Sequence, residues 1–88
     1  MASYRLFWKR SAEHDLRSID RQQIPRIIEA VENLADNPFP PQHRKLRGAE
    51  QFYRIRVGEY RVVYQVDVEA GAVIIYYVRH RKKAYREV

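Results

Sequence analysis

The chain has 88 residues, enough for one small domain with a modest core, so a single domain over residues 1–88 is expected. It contains no Cys and only three His, which excludes a disulfide framework, a thiolate metal centre and a Cys nucleophile; no metal or other cofactor is expected. The net charge of +6 sits almost wholly in the second half, since residues 1–44 hold seven Lys/Arg against six Asp/Glu and residues 45–88 hold ten against five.

Tyr4-Arg5-Leu6-Phe7-Trp8 is a short β-prone run and predicts a first strand. Ser11 is a candidate N-cap for a helix over about 11–20, in which Ala12, Leu16 and Ile19 recur on one face. Ile24, Ile27, Ile28, Val31, Leu34 and Ala35 carry a second helix that starts between 21 and 25, with Pro25 in its first turn, and stops before Asn37-Pro38. Residues 37–43 hold three prolines in four positions and predict a stiff loop. Residues 52–57, 60–68 and 72–79 predict three strands. Gly58-Glu59 suits a two-residue type II′ hairpin turn, and Glu69-Ala70-Gly71 a three-residue loop ending in a left-handed Gly.

The expected class is therefore α+β, ordered β-α-α-β-β-β, with two N-terminal helices packed on one face of a mainly antiparallel four-stranded sheet. No segment approaches the roughly 20 apolar residues of a membrane span, and the N-terminus lacks the pattern of a signal peptide. A cytoplasmic protein with no membrane partner is the expectation.

The two turns fix a register, and the register sorts the side chains by face. Arg56 falls opposite Arg61, Arg61 opposite Arg79, and Arg54 opposite Val63. With period-two alternation the core face collects Tyr53, Ile55, Val57, Tyr60, Val62, Tyr64, Val66, Val68, Ile74, Tyr76 and Val78. The opposite face collects Arg54, Arg56, Arg61 and Arg79 with Tyr77 beside them, and Glu59 is the sole acid across residues 52–66. Like charges on neighbouring strands destabilise a sheet by a few tenths to about 1 kcal/mol, so the arrangement points to an anionic partner. Guanidinium is planar, permanently charged and matched to phosphate. Tyr85, set in the basic run Arg79-His80-Arg81-Lys82-Lys83-Ala84-Tyr85-Arg86, suits stacking on an unpaired RNA base. Alternation would point His80 away from the arginines.

The runs Lys45-Leu46-Arg47-Gly48, Tyr53-Arg54-Ile55-Arg56-Val57-Gly58-Glu59-Tyr60-Arg61-Val62-Val63-Tyr64 and Val78-Arg79-His80-Arg81, followed by Tyr85, resemble the RelE/ParE superfamily of type II toxins, and the order of elements resembles it too. The resemblance implies a bacterial toxin held inactive by a cognate acidic antitoxin. In the RelE branch it implies ribosome-dependent endonuclease cleavage of mRNA in the A site, by metal-independent attack of a ribose 2′-OH on the adjacent phosphate. Arg54, Arg56, Arg61, Arg79 and Tyr85 are then the catalytic candidates, and Lys45, Arg47, Arg81, Lys82 and Lys83 the further RNA contacts. Some members carry lysines where this chain has Arg54 and Arg56. The alternatives are the ParE branch, which poisons DNA gyrase on the same fold, and an inactive relic that binds RNA or a partner. Trp8 and Phe39 are candidate contact points for the antitoxin.

Overall fold

The computed structural model describes residues 3–48 and 50–82. Its elements are β1 (Arg5–Trp8), α1 (Arg10–Arg17), α2 (Ile24–Asp36), β2 (Arg44–Lys45), β3 (Phe52–Val57), β4 (Tyr60–Asp67) and β5 (Ala72–His80). The strands form one sheet ordered β1-β5-β4-β3-β2, in which β1 lies parallel to β5 and every other pair is antiparallel. The fifth strand is β2, only two residues long, within a stretch of sequence without period-two patterning.

Both helices present one apolar stripe to one face of the sheet. In α2 the buried residues are Ile27, Val31 and Leu34, at the i, i+4, i+7 spacing of a single helical face. Pro25 occupies the first turn, where its missing N–H costs no hydrogen bond. At the other end Pro38 forces Asn37 into extended backbone, and the Asn37 Oδ1 accepts from the Phe39 N–H at 3.1 Å. These side chains meet Ile55, Val62, Tyr64, Val66, Val73, Ile75 and Val78 from the sheet, with Ala12 and Ile19 from the α1 side. Burying each aliphatic side chain contributes about 1.5–3 kcal/mol. Tyr64 is fully buried, and its hydroxyl donates to the Pro38 carbonyl at 2.7 Å, tying the proline-rich loop to the core. Burial, and secondarily Tyr53 beside it, raise the Tyr64 pKa well above the usual phenol range.

Helix α1 begins at Arg10, with Lys9 rather than Ser11 as N-cap. The Ser11 hydroxyl is used across the fold: its Oγ donates to the Tyr76 carbonyl at 2.6 Å. Asp15, one helical turn on, accepts from the Val78 N–H at 3.0 Å. Strand β1 pairs with β5 only from Ala72 to Ile75. These two side chains therefore satisfy the edge of β5 where the neighbouring strand has ended.

The β4–β5 turn departs from the expected three-residue loop. It has four residues, 68–71, because Asp67 pairs with Ala72, and a bond from the Gly71 N–H to the Val68 carbonyl at 3.2 Å closes it. A bulge between the pairs Val63–Tyr77 and Tyr64–Ile75 then takes up one residue, Tyr76, and restores the expected register beyond it. Ile74 and Tyr76 are consequently displaced from the core face, which Val73 and Ile75 fill instead, and Val68 sits in the turn, 62% exposed. The other residues assigned to the core face are buried or packed against the buried cluster.

Candidate nucleic-acid interface

The site grows out of one turn. Gly58 has φ +60°, a conformation that costs a residue with a Cβ about 1–2 kcal/mol, and Glu59 keeps negative φ, as a type II′ turn requires. That turn sets Arg56 opposite Arg61, and β5 adds Arg79 opposite Arg61. Three guanidinium-bearing residues thus stand in one row across three adjacent strands, on the face away from the helices.

Two residues along β3, Arg54 pairs with Arg44 of β2. Gln42, Arg44, Arg54, Arg56 and Arg61, together with Ile55, line a depression of about 300 Å³. Arg44 was not among the sequence candidates. The signal that could have found it is spacing: a short edge strand at 44–45 pairs position 44 with position 54.

Local contacts orient parts of the row. Arg56 Nε donates to the Gly58 carbonyl at 3.1 Å, which holds the side chain along the turn. Arg79 Nε lies 3.6 Å from Asp15 Oδ2, and its Cζ lies 4.1 Å from the centre of the Tyr77 ring. Asp15 was likewise not singled out from the sequence; its place in the second turn of an eight-residue helix gave no hint that it would meet β5. Arg81 continues the direction of β5, with its N–H on the Glu59 carbonyl at 2.8 Å and its Nε 3.6 Å from Glu59 Oε2. His80 packs edge-on to Tyr60 at 5.5 Å, on the opposite side from the arginines.

The remaining sequence candidates are spread out. Lys45 pairs with Tyr53, so it projects to the helix side of the sheet, opposite to its neighbour Arg44. Arg47 is exposed in the turn after β2, and Lys82 is exposed with its N–H on His80 Nδ1 at 3.3 Å. Lys83 and Tyr85 lie outside the described residues. Trp8 is partly buried against the core rather than left over on the surface, whereas Phe39 is partly exposed and stacks edge-on with His43 and Tyr53. Among the described residues no group of three or more His, Asp or Glu is placed to hold a metal ion, and no helix is long and apolar enough to cross a membrane.

The sequence matches the family described as ParE toxin of type II toxin-antitoxin system, parDE, over residues 6–85. The chain belongs to the RelE/ParE superfamily of type II toxins. Within it, this toxin is 31% identical over 75 residues to the RelE1 protein of Methanocaldococcus jannaschii, covering 82% of this chain and 83% of that one. It is 36% identical over 66 residues to toxin RelE3 of the same organism, covering 74% and 73%. In three dimensions the toxin matches a chain of the RelBE2 toxin–antitoxin complex of Mycobacterium tuberculosis with a TM-score of 0.79 at 27% identity, over 92% of this chain and 94% of that one. The fold and family are those of RelE-like toxins.

Proposed function

We propose that this toxin is a ribosome-dependent mRNA endonuclease that cleaves in the A site without a metal. The observation that carries the reading is the row Arg56–Arg61–Arg79 with the pair Arg44–Arg54 beside it, five arginines on one sheet face. Like charges on neighbouring strands repel, and binding a polyanion relieves that repulsion. In the reaction a ribose O2′ attacks the adjacent phosphorus, the 2′-OH gives up its proton, and the bond from phosphorus to O5′ breaks. The 5′ oxygen leaves as a hydroxyl after taking a proton, and a 2′,3′-cyclic phosphate remains.

The phosphorane-like transition state gathers negative charge on its equatorial oxygens, and guanidiniums already in place stabilise it without reorganisation. Arginine does not serve as the base, because it holds its proton at any working pH. Positioning and electrostatics then carry most of the rate, with Tyr85 stacking on a base to align the 2′-OH for in-line attack. A cognate acidic antitoxin, by analogy with the RelBE2 complex, would silence the toxin by covering the basic face.

The test is a defined translation mixture in which mRNA 5′ ends are mapped by primer extension. Ribosome-dependent breaks at the A-site codon are expected with the wild type, falling by about 100-fold or more in Arg61→Ala. The match to the ParE family favours a second reading, inhibition of DNA gyrase. Intact mRNA together with loss of supercoiling in a gyrase assay would establish that reading and overturn the endonuclease; intact mRNA and unaffected gyrase would leave an inactive relic.

A further inference from the structure

The bulge in β5 places two consecutive tyrosines on the arginine face, and their surroundings differ. Tyr76 is built into the sheet: its ring packs edge-on to Phe52 at 4.9 Å, its hydroxyl donates to Gln65 Oε1 at 3.3 Å, and Lys9 Nζ sits 5.2 Å from its centroid. Tyr77 has none of these ties. It stands opposite Val63, is 37% exposed, and its hydroxyl makes no hydrogen bond among the described residues. Its close company is the guanidinium of Arg79, at 4.1 Å. The core is on the other face, so the ring is not needed to cover it. An aromatic ring joined to a guanidinium plane, one step along the strand from a row of phosphate-binding groups, is a surface on which a splayed-out base stacks.

We propose that Tyr77, held against Arg79, is a base-stacking platform for single-stranded RNA, receiving the nucleobase next to the phosphate bound by the Arg56–Arg61–Arg79 row. This rests on the endonuclease reading and adds a specificity-determining position to it. The spacing is fixed by the strand: Tyr77 and Arg79 share a face two residues apart, about 6.8 Å. The occupant is set by charge, since Arg54, Arg56, Arg61 and Arg79 border the ring on its own strand and the next two. Asp15 pins Arg79 from the helix side, so ring and guanidinium are offered as one pre-ordered unit.

The experiment compares wild type, Tyr77→Leu and Tyr77→Trp in two assays: A-site cleavage in the translation mixture, and fluorescence anisotropy with a short single-stranded RNA. The RNA is used intact and with single abasic positions. Tyr77→Leu is expected to weaken binding of intact RNA by about 5- to 150-fold, and Tyr77→Trp by less than about 3-fold. At one abasic position the difference between Leu and Tyr should vanish, because the base that used the ring is gone. Equal binding and cleavage by wild type and Tyr77→Leu would overturn the platform and leave the endonuclease reading intact. A loss that persists at every abasic position would overturn it too, since the ring would then act only through Arg79. Absence of cleavage by the wild type is a different result and removes the underlying reading.

Discussion

Salt dependence gives the arginine face a quantitative test. Each phosphate neutralised on a single strand releases counterions and contributes about −0.7 to the slope of log affinity against log salt. Of the five arginines, Arg79 already faces Asp15 at 3.6 Å, so its contact with phosphate adds less to the net neutralisation than the others do. Arg44, Arg54, Arg56 and Arg61 stand on the same face. If each meets one phosphate, the slope is about −2.8, and a fourfold rise in salt lowers affinity by roughly 50-fold. Arg61→Ala should make the slope shallower by about 0.7. Asp15→Asn keeps an oxygen to accept the Val78 N–H but removes the charge opposing Arg79, so it should steepen the slope by about 0.7. Anisotropy titrations of a labelled RNA across a salt series measure all three values. A wild-type slope shallower than about −1, or one unchanged by either variant, would refute the view that this face binds phosphates as a set.

Other perturbations separate the frame from the site. Tyr64→Phe leaves the buried Pro38 carbonyl without its donor and should lower stability by about 1–3 kcal/mol in urea unfolding, with the helix content retained at low denaturant. Because folding raises the Tyr64 pKa, the native state holds its proton after the unfolded chain has lost it, so stability falls as pH climbs past the ordinary value of 10.0. Stability curves at alkaline pH should show that loss in the wild type and a smaller one in Tyr64→Phe. Gly58→Ala meets only ordinary contacts with Arg26 and Gln23, so its cost of about 1–2 kcal/mol is conformational, and it should also weaken RNA binding by disturbing the Arg56–Arg61 pairing. Ile27→Ala should cost about 2–5 kcal/mol, with the arginines untouched.

Much of this was legible in the sequence because strong local signals agreed. The period of Ile27, Val31 and Leu34, the Pro25 and Pro38 boundaries and the Gly58 turn each dictate their own geometry. The arginine row was legible for a subtler reason. A three-residue β4–β5 loop gives Arg61 opposite Arg79; the actual loop is one residue longer, and the Tyr76 bulge removes the difference, so two departures cancel at the site. Between turn and bulge they do not cancel, which is why Ile74 and Tyr76 were assigned to the wrong face. A bulge has no period of its own, and Val73, Ile74, Ile75, Tyr76 and Tyr77 are apolar or aromatic in either register. Arg44 was hidden because a two-residue strand carries no alternation, and Asp15 because its partners lie more than sixty residues away in sequence.

The two α1 side chains that finish the edge of β5 have a consequence for self-association. A bare strand edge is a template for any extended chain, the same toxin included, and hydrophobic edges invite aggregation. Here the Tyr76 carbonyl and the Val78 N–H are already engaged by Ser11 and Asp15. A foreign strand arriving beside the arginines therefore finds that edge occupied, and lengthening of the sheet is confined to its outer margins at β1 and β2. The arginines project from the face of the sheet, while the edge next to them is closed to protein backbone at these two groups.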